Sequence, residues 1–198
     1  MIDDIKAYVR DINLGLIVND SNITRNINNR SDSLQFLKKN YKLIKYVTKM
    51  GGVLVGSRAI RCYSINSEQI LNRPSNDWDF IITRDMAFDI CDKFGITYDL
   101  SDFISIEKHA WTLRRSYSPS VKVGVVNVHL IIKDLPEYTE DNGVRVVGLS
   151  YSINQKVKML EELINNRTKI RVIQDDNSKE EIKKHREDLL RIISKFNK

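Results

Sequence analysis

The sequence predicts an α+β fold, with a mixed β-sheet in the middle of the chain and helices at both ends. Strand signatures gather between residues 51 and 150: Val53-Leu54-Val55, then Asp77-Trp78-Asp79-Phe80-Ile81-Ile82, then the β-branched, alternating run from Val121 to Ile132. Apolar residues recur at helical spacing before and after them. No repeat, low-complexity tract or Pro-rich linker interrupts the 198 residues. The expected organisation is N-terminal helices over 1–50, a core over 51–150 and C-terminal helices over 151–198, packed as one unit.

Taken in order, Ile5, Val9, Ile12 and Leu16 mark a short amphipathic helix over Asp3 to Leu16. The Asn-rich stretch 19–30 has no periodicity and reads as a loop or arm. A second helix starts near Ser31-Asp32-Ser33, runs through Leu34, Leu37, Tyr41, Ile44 and Val47, and stops at Gly51-Gly52. Lys38, Lys39, Lys42, Lys45 and Lys49 form a basic stripe on it. After the Asp77–Ile82 strand, a helix over about Asp85 to Phe94 closes on Gly95, and Asp99 to Ser116 fits helix or strand equally. Val144 to Val147 reads as a short strand, followed by helices over Tyr151 to about Asn165 and Ser178 to Phe196. Ser178 and Glu181 form a capping box for the last.

Composition narrows the setting. Hydrophobic residues make up 41% of the chain and charged residues 29%, which excludes disordered and collagen-like classes. The acidic opening lacks a signal-peptide pattern, and no apolar run approaches the roughly 20 residues that span a bilayer. A soluble, intracellular and cytoplasmic protein is expected, without a membrane partner. Cys62 and Cys91 have no metal-ligand spacing and read as buried thiols of a reducing compartment. The net charge of +6 is uneven: residues 1–50 carry 9 basic and 5 acidic groups, 51–150 carry 11 and 13, and 151–198 carry 12 and 8. A slightly acidic centre between basic ends suits a metal site near a polyanion-binding surface, and it equally suits well-solvated helices.

Asp77 and Asp79, two apart in a strand, share one face of the sheet while Trp78 and Phe80 take the other. Adjacent carboxylates repel unless a cation lies between them, and Mg²⁺ held with substrate phosphates is the usual solution. A polar strand edge facing water is the plainer alternative. Gly56-Ser57, directly after a buried strand, offers backbone amides and a hydroxyl to an anion. Arg58 and Arg61 follow closely enough to offset a triphosphate.

Together, Val55-Gly56-Ser57-Arg58-Ala59 and Ser75-Asn76-Asp77-Trp78-Asp79-Phe80 resemble the signature of the DNA polymerase β-like nucleotidyltransferase superfamily. The Arg-Ala pair and the long interval are similar to small nucleotidyltransferase-like proteins of phages and large viruses. The resemblance covers roughly residues 50–135 and implies a nucleotidyltransferase-type sheet flanked by helices. It implies Mg²⁺ or Mn²⁺ on Asp77 and Asp79, an NTP on Gly56, Ser57, Arg58 and Arg61, and, for a viral chain, a place in the host cytoplasm. Two departures follow. The interval from Ser57 to Asp77 makes Ile65 to Asn76 an insertion, and Asn127 or His129 stands where a third carboxylate belongs. Asn127 brings a carbonyl ligand without charge, and His129 a proton acceptor or a ligand for softer metals. A polar pair on a half-exposed strand is the alternative for both.

Ser152 and Lys156 resemble the serine and lysine that contact the triphosphate in several members, although a solvated helix lysine accounts for Lys156 as well. His185 and Asp188, three apart on one helix, are a supporting pair or a helix–helix contact. The implied activity is metal-dependent transfer of a nucleoside monophosphate to a hydroxyl, with a nucleic-acid 3′ end as one acceptor for the basic terminal helices. The alternative is a descendant that binds nucleic acid or protein and no longer turns over.

Overall fold

The computed structural model describes residues 5–6, 23–25, 42–73, 75, 77–95, 111–115, 127–141, 143–169 and 176–196. The chain forms two units, each assembled from separated segments. One gathers Met1–Asn26, Ile60–Asn72 and Leu149–Lys198, the other Ile27–Ala59 and Arg73–Gly148. The units interleave along the chain: residues 63–65 pair with residues 23–25, and residues 68–69 fold back onto residues 64–65.

The second unit holds a mixed six-stranded sheet. Its strands are β2 (Val53–Val55), β5 (Asp77–Ile82), β6 (Trp111–Arg115), β7 (Asn127–Ile132), β8 (Tyr138–Asp141) and β9 (Val144–Val147), in the order β6-β7-β5-β2-β9-β8. β2 runs antiparallel to β5 and parallel to β9, and β5 runs parallel to β7. The strongly apolar strands sit centrally, as burial on both faces requires: Val53, Leu54, Val55, Phe80, Ile81, Ile82, Val146 and Val147 are all buried. The polar β8 pairs only with β9, at the edge.

Two helices cover this sheet. Residues 42–49 (α1) bury Leu43, Ile44 and Val47 and expose Lys42, Lys45 and Lys49. α1 ends in a Schellman motif, with Gly52 N–H donating to Val47 O and Gly51 N–H to Thr48 O. Gly51 takes the left-handed φ of 91° that this motif needs. Arg145 donates to Gly51 O and so ties this corner to β9. After the short α2 (Gly56–Arg61), α3 (Arg84–Phe94) is capped by Thr83, which accepts from Met86 N–H, and ends at Gly95. Tyr46 of α1 meets Phe94 of α3 edge-on at 5.5 Å.

The first unit contains a three-stranded antiparallel sheet: β1 (Ile23–Arg25), β3 (Tyr63–Ile65) and β4 (Glu68–Gln69). The β3–β4 turn is Asn66-Ser67, both at positive φ (49° and 67°), the backbone of a type I′ hairpin. Residues 23–25 are thus a strand within the stretch expected to be a loop, and the hairpin takes in residues 65–69 of the segment expected as an insertion. The helices α4 (Leu149–Lys169) and α5 (Asp176–Phe196) complete the unit, with Leu149, Ile153, Val157 and Leu160 of α4 and Leu189 and Ile192 of α5 buried. α5 begins before Ser178, so Ser178 lies inside the helix and does not cap it. Lys6 pairs with Glu161, and Lys195 with Glu68.

Cys62 and Cys91 are both buried. Among the described residues no helix is long and apolar enough to cross a membrane. Most of the helices expected over 3–16 and 31–47, and the expected strand segment 121–126, lie outside the described residues.

Candidate functional site

Antiparallel pairing of β2 with β5 places Val55 opposite Asp79. The chain then turns at Gly56, whose φ is 70°. A Cβ on Gly56 would lie 2.4 Å from Asp79 Oδ2. Glycine is required here twice over: for the left-handed backbone and for the approach of the carboxylate. The other oxygen of Asp79, Oδ1, lies 2.8 Å from His129 Nδ1. An ionised carboxylate only accepts, so the bond places a proton on Nδ1 and the imidazole donates.

His129 reaches Asp79 because β5 and β7 run parallel in register, with Asp77 paired to Asn127 and Asp79 to His129. Asp79 and His129 therefore meet across two adjacent strands, with Asp77 and Asn127 in register two positions before them. For Asp77 and Asn127 the backbone position is described and the side chain is not. Asp79 and His129 side chains are 24% and 23% exposed, so the pair is shielded but open to a ligand. On the far side of β7, Arg114 of β6 is the register partner of His129. Among the described residues no group of three or more His, Cys, Asp or Glu is gathered to hold a metal.

The opposite face is different in character. Trp78 stacks on the buried Phe80, with centroids 6.0 Å apart and 12° between planes. The Arg58 guanidinium lies 4.2 Å from the Trp78 ring centroid and donates to Ser75 O. Arg58 is buried, and its charge is met by a ring face and a carbonyl on the side of β5 away from Asp79. Arg73 takes the position at the turn that the sequence assigned to Arg58: its Nη2 donates to Ser57 Oγ at 3.2 Å.

The remaining sequence candidates lie in the first unit. Arg61 is buried there. Lys156 Nζ lies 2.6 Å from Asp188 Oδ2, with side-chain exposures of 5% and 1%, and 3.5 Å from His185 Nδ1. Lys156, His185 and Asp188 thus form one buried cluster joining α4 to α5, and Lys156 is not a solvated surface lysine. Ser152, one turn before Lys156, is buried, and among the described residues its Oγ has no hydrogen-bond partner. The structure brings together Gly56, Ser57, Asp79 and His129 in one unit, and Ser152, Lys156, His185 and Asp188 in the other. Arg73 is the residue that sequence reasoning missed. It stands 16 positions from Ser57, and no local pattern announces the contact.

No protein-family model, no curated protein and no solved structure matches the chain.

Proposed function

We propose that the protein is a metal-dependent nucleotidyltransferase, with a nucleotidyltransferase-type sheet, moving a nucleoside monophosphate from an NTP to a hydroxyl acceptor. The observation that carries this reading is the Asp79 carboxylate, set between His129 and the bare backbone of Gly56 at the end of β2. A glycine turn for phosphate and a strand carboxylate for a cation are the two parts that phosphoryl transfer needs side by side.

The donor set fits a divalent cation. Asp79 and, by strand alternation, Asp77 would hold Mg²⁺ or Mn²⁺, with Asn127 and His129 at register positions beside them. When bound, the ion supplies charge neutralisation for the triphosphate and activation of the acceptor oxygen. The chain's own residues do the positioning. Gly56 lets phosphate approach the backbone, Ser57 offers a hydroxyl, and His129 holds Asp79 in one orientation. The acceptor oxygen bonds to the α-phosphorus as the α–β bridging P–O bond breaks. Pyrophosphate leaves with the electron pair, and the hydroxyl proton passes to solvent or a base. The exposed Lys42, Lys45 and Lys49 on α1 suit a nucleic-acid acceptor, and the two buried cysteines suit an intracellular setting.

The test is incubation with each α-labelled NTP, Mg²⁺ or Mn²⁺, and RNA, DNA or protein acceptors. Label should reach an acceptor, and Asp79→Asn should slow transfer by about 100-fold or more. Wild type matching Asp79→Asn across every combination sinks the reading. A second reading is favoured by Asn127 and His129 in register with the two acids: a module that binds and does not turn over. It predicts partner binding that needs no divalent ion and survives Asp79→Ala.

A further inference from the structure

We infer that Arg73 is the triphosphate-binding cation of the site, acting with Ser57 on the non-transferred phosphates of the NTP. The inference rests on the nucleotidyltransferase reading and names a residue and a role which that reading did not contain.

The arginines near the glycine turn are not equivalent. Arg58, the nearest in sequence, is buried, stacked on Trp78 and bonded to Ser75 O. A guanidinium fixed in that way cannot swing to the Asp79 face without breaking both contacts. Arg61, one turn after Ser57 on α2, is itself buried. Arg73 lies in the same unit as the turn, is only part-buried, and reaches Ser57 directly.

The hydrogen bond itself has a chemical direction. Arginine has only donors, so Ser57 Oγ is the acceptor and its own O–H must point to another group. The guanidinium, with five donors in a planar fork, and the serine hydroxyl thus present donors side by side. A phosphate oxygen is the ligand that accepts from both. The bond joins a charged donor to a neutral hydroxyl, and a guanidinium pairs more strongly with an anionic oxygen than with a neutral one.

The placement also gives the intervening segment a purpose. The chain leaves the sheet unit after Ala59, builds the β3–β4 hairpin, and re-enters at Arg73. Four residues later it forms β5. The return leg therefore brings Arg73 to the turn and Asp79 to the neighbouring strand, so one short stretch carries both the cation for phosphate and the anion for metal.

The test compares binding of ATP, GTP, CTP and UTP, their monophosphates, and inorganic tripolyphosphate to the full chain in Mg²⁺ or Mn²⁺, by titration calorimetry. Wild type is expected to prefer triphosphates to monophosphates. Arg73→Gln should weaken triphosphate and tripolyphosphate binding about 10- to 100-fold while leaving monophosphate binding within about 2-fold. Arg73→Lys should fall between, since it keeps the charge and loses the fork. A merely structural arginine would lower all ligands together or none. Equal triphosphate affinity in wild type, Arg73→Gln and Arg73→Lys overturns the inference and leaves the nucleotidyltransferase reading standing. Wild type that binds no nucleotide and transfers none overturns both. If Arg73→Gln does not fold, Arg73→Lys decides alone: an unchanged ratio of triphosphate to monophosphate affinity overturns the inference.

Discussion

Gly56→Ala is expected to destabilise the protein by about 2–4 kcal/mol and to abolish the nucleotide transfer proposed for it. Two separate costs combine. A φ of 70° is strained for any residue with a side chain, and the new methyl would lie 2.4 Å from Asp79 Oδ2. The second cost can be removed by a second substitution and the first cannot. Gly56→Ala/Asp79→Ala should therefore recover about 1–2 kcal/mol relative to the sum of the single variants. Urea unfolding of the four proteins measures this coupling. Additive effects, or a stable Gly56→Ala variant, would refute the close approach of Asp79 to the turn.

Asp188→Ala is expected to cost about 3–5 kcal/mol, because it removes the carboxylate paired with the buried Lys156 ammonium. His185 Nδ1, 3.5 Å from Lys156 Nζ, is too distant to replace a carboxylate. The double variant Lys156→Met/Asp188→Leu removes both charges and should return to within about 1–2 kcal/mol of wild type. Thermal or urea unfolding of the single and double variants is the measurement. Assaying transfer in the stable double variant then asks whether Lys156 also serves the triphosphate, as its resemblance to the family's lysine implies.

The fold was readable where local chemistry and tertiary environment agree. Val53-Leu54-Val55 is continuously apolar because β2 is central and buried, and Phe94-Gly95 marks the end of α3 because the left-handed cap needs glycine. Alternation alone put Asp77 and Asp79 on one face. β8 could not be read: Tyr138-Thr139-Glu140-Asp141 is polar, and it is a strand only because β9 offers it an edge. The same holds for Ile23–Arg25, whose partner is 40 residues away.

At the site, proximity in sequence misled in one respect. Arg58 adjoins Ser57, yet one step along a helix rotates a side chain by about 100°, and Trp78 holds the guanidinium on the far face of β5. Arg73 was invisible for the converse reason, since only the hairpin's return brings it to Ser57. Lys156 was singled out, with Ser152, only by the resemblance, and a solvated lysine accounted for it as well. Its burial against Asp188 depended on the packing of α4 against α5, which no helical pattern predicts.

The position of β9 sets a schedule for biosynthesis. β2 emerges early from the ribosome, but its parallel neighbour comes only at Val144–Val147. Until then the most apolar strand of the sheet has one edge without backbone partners, a template for pairing with other chains. A nascent chain stalled or cleaved before residue 144 would carry the glycine turn and both acids yet keep that edge bare. Such a chain is expected to aggregate, and completion of translation is what closes that edge.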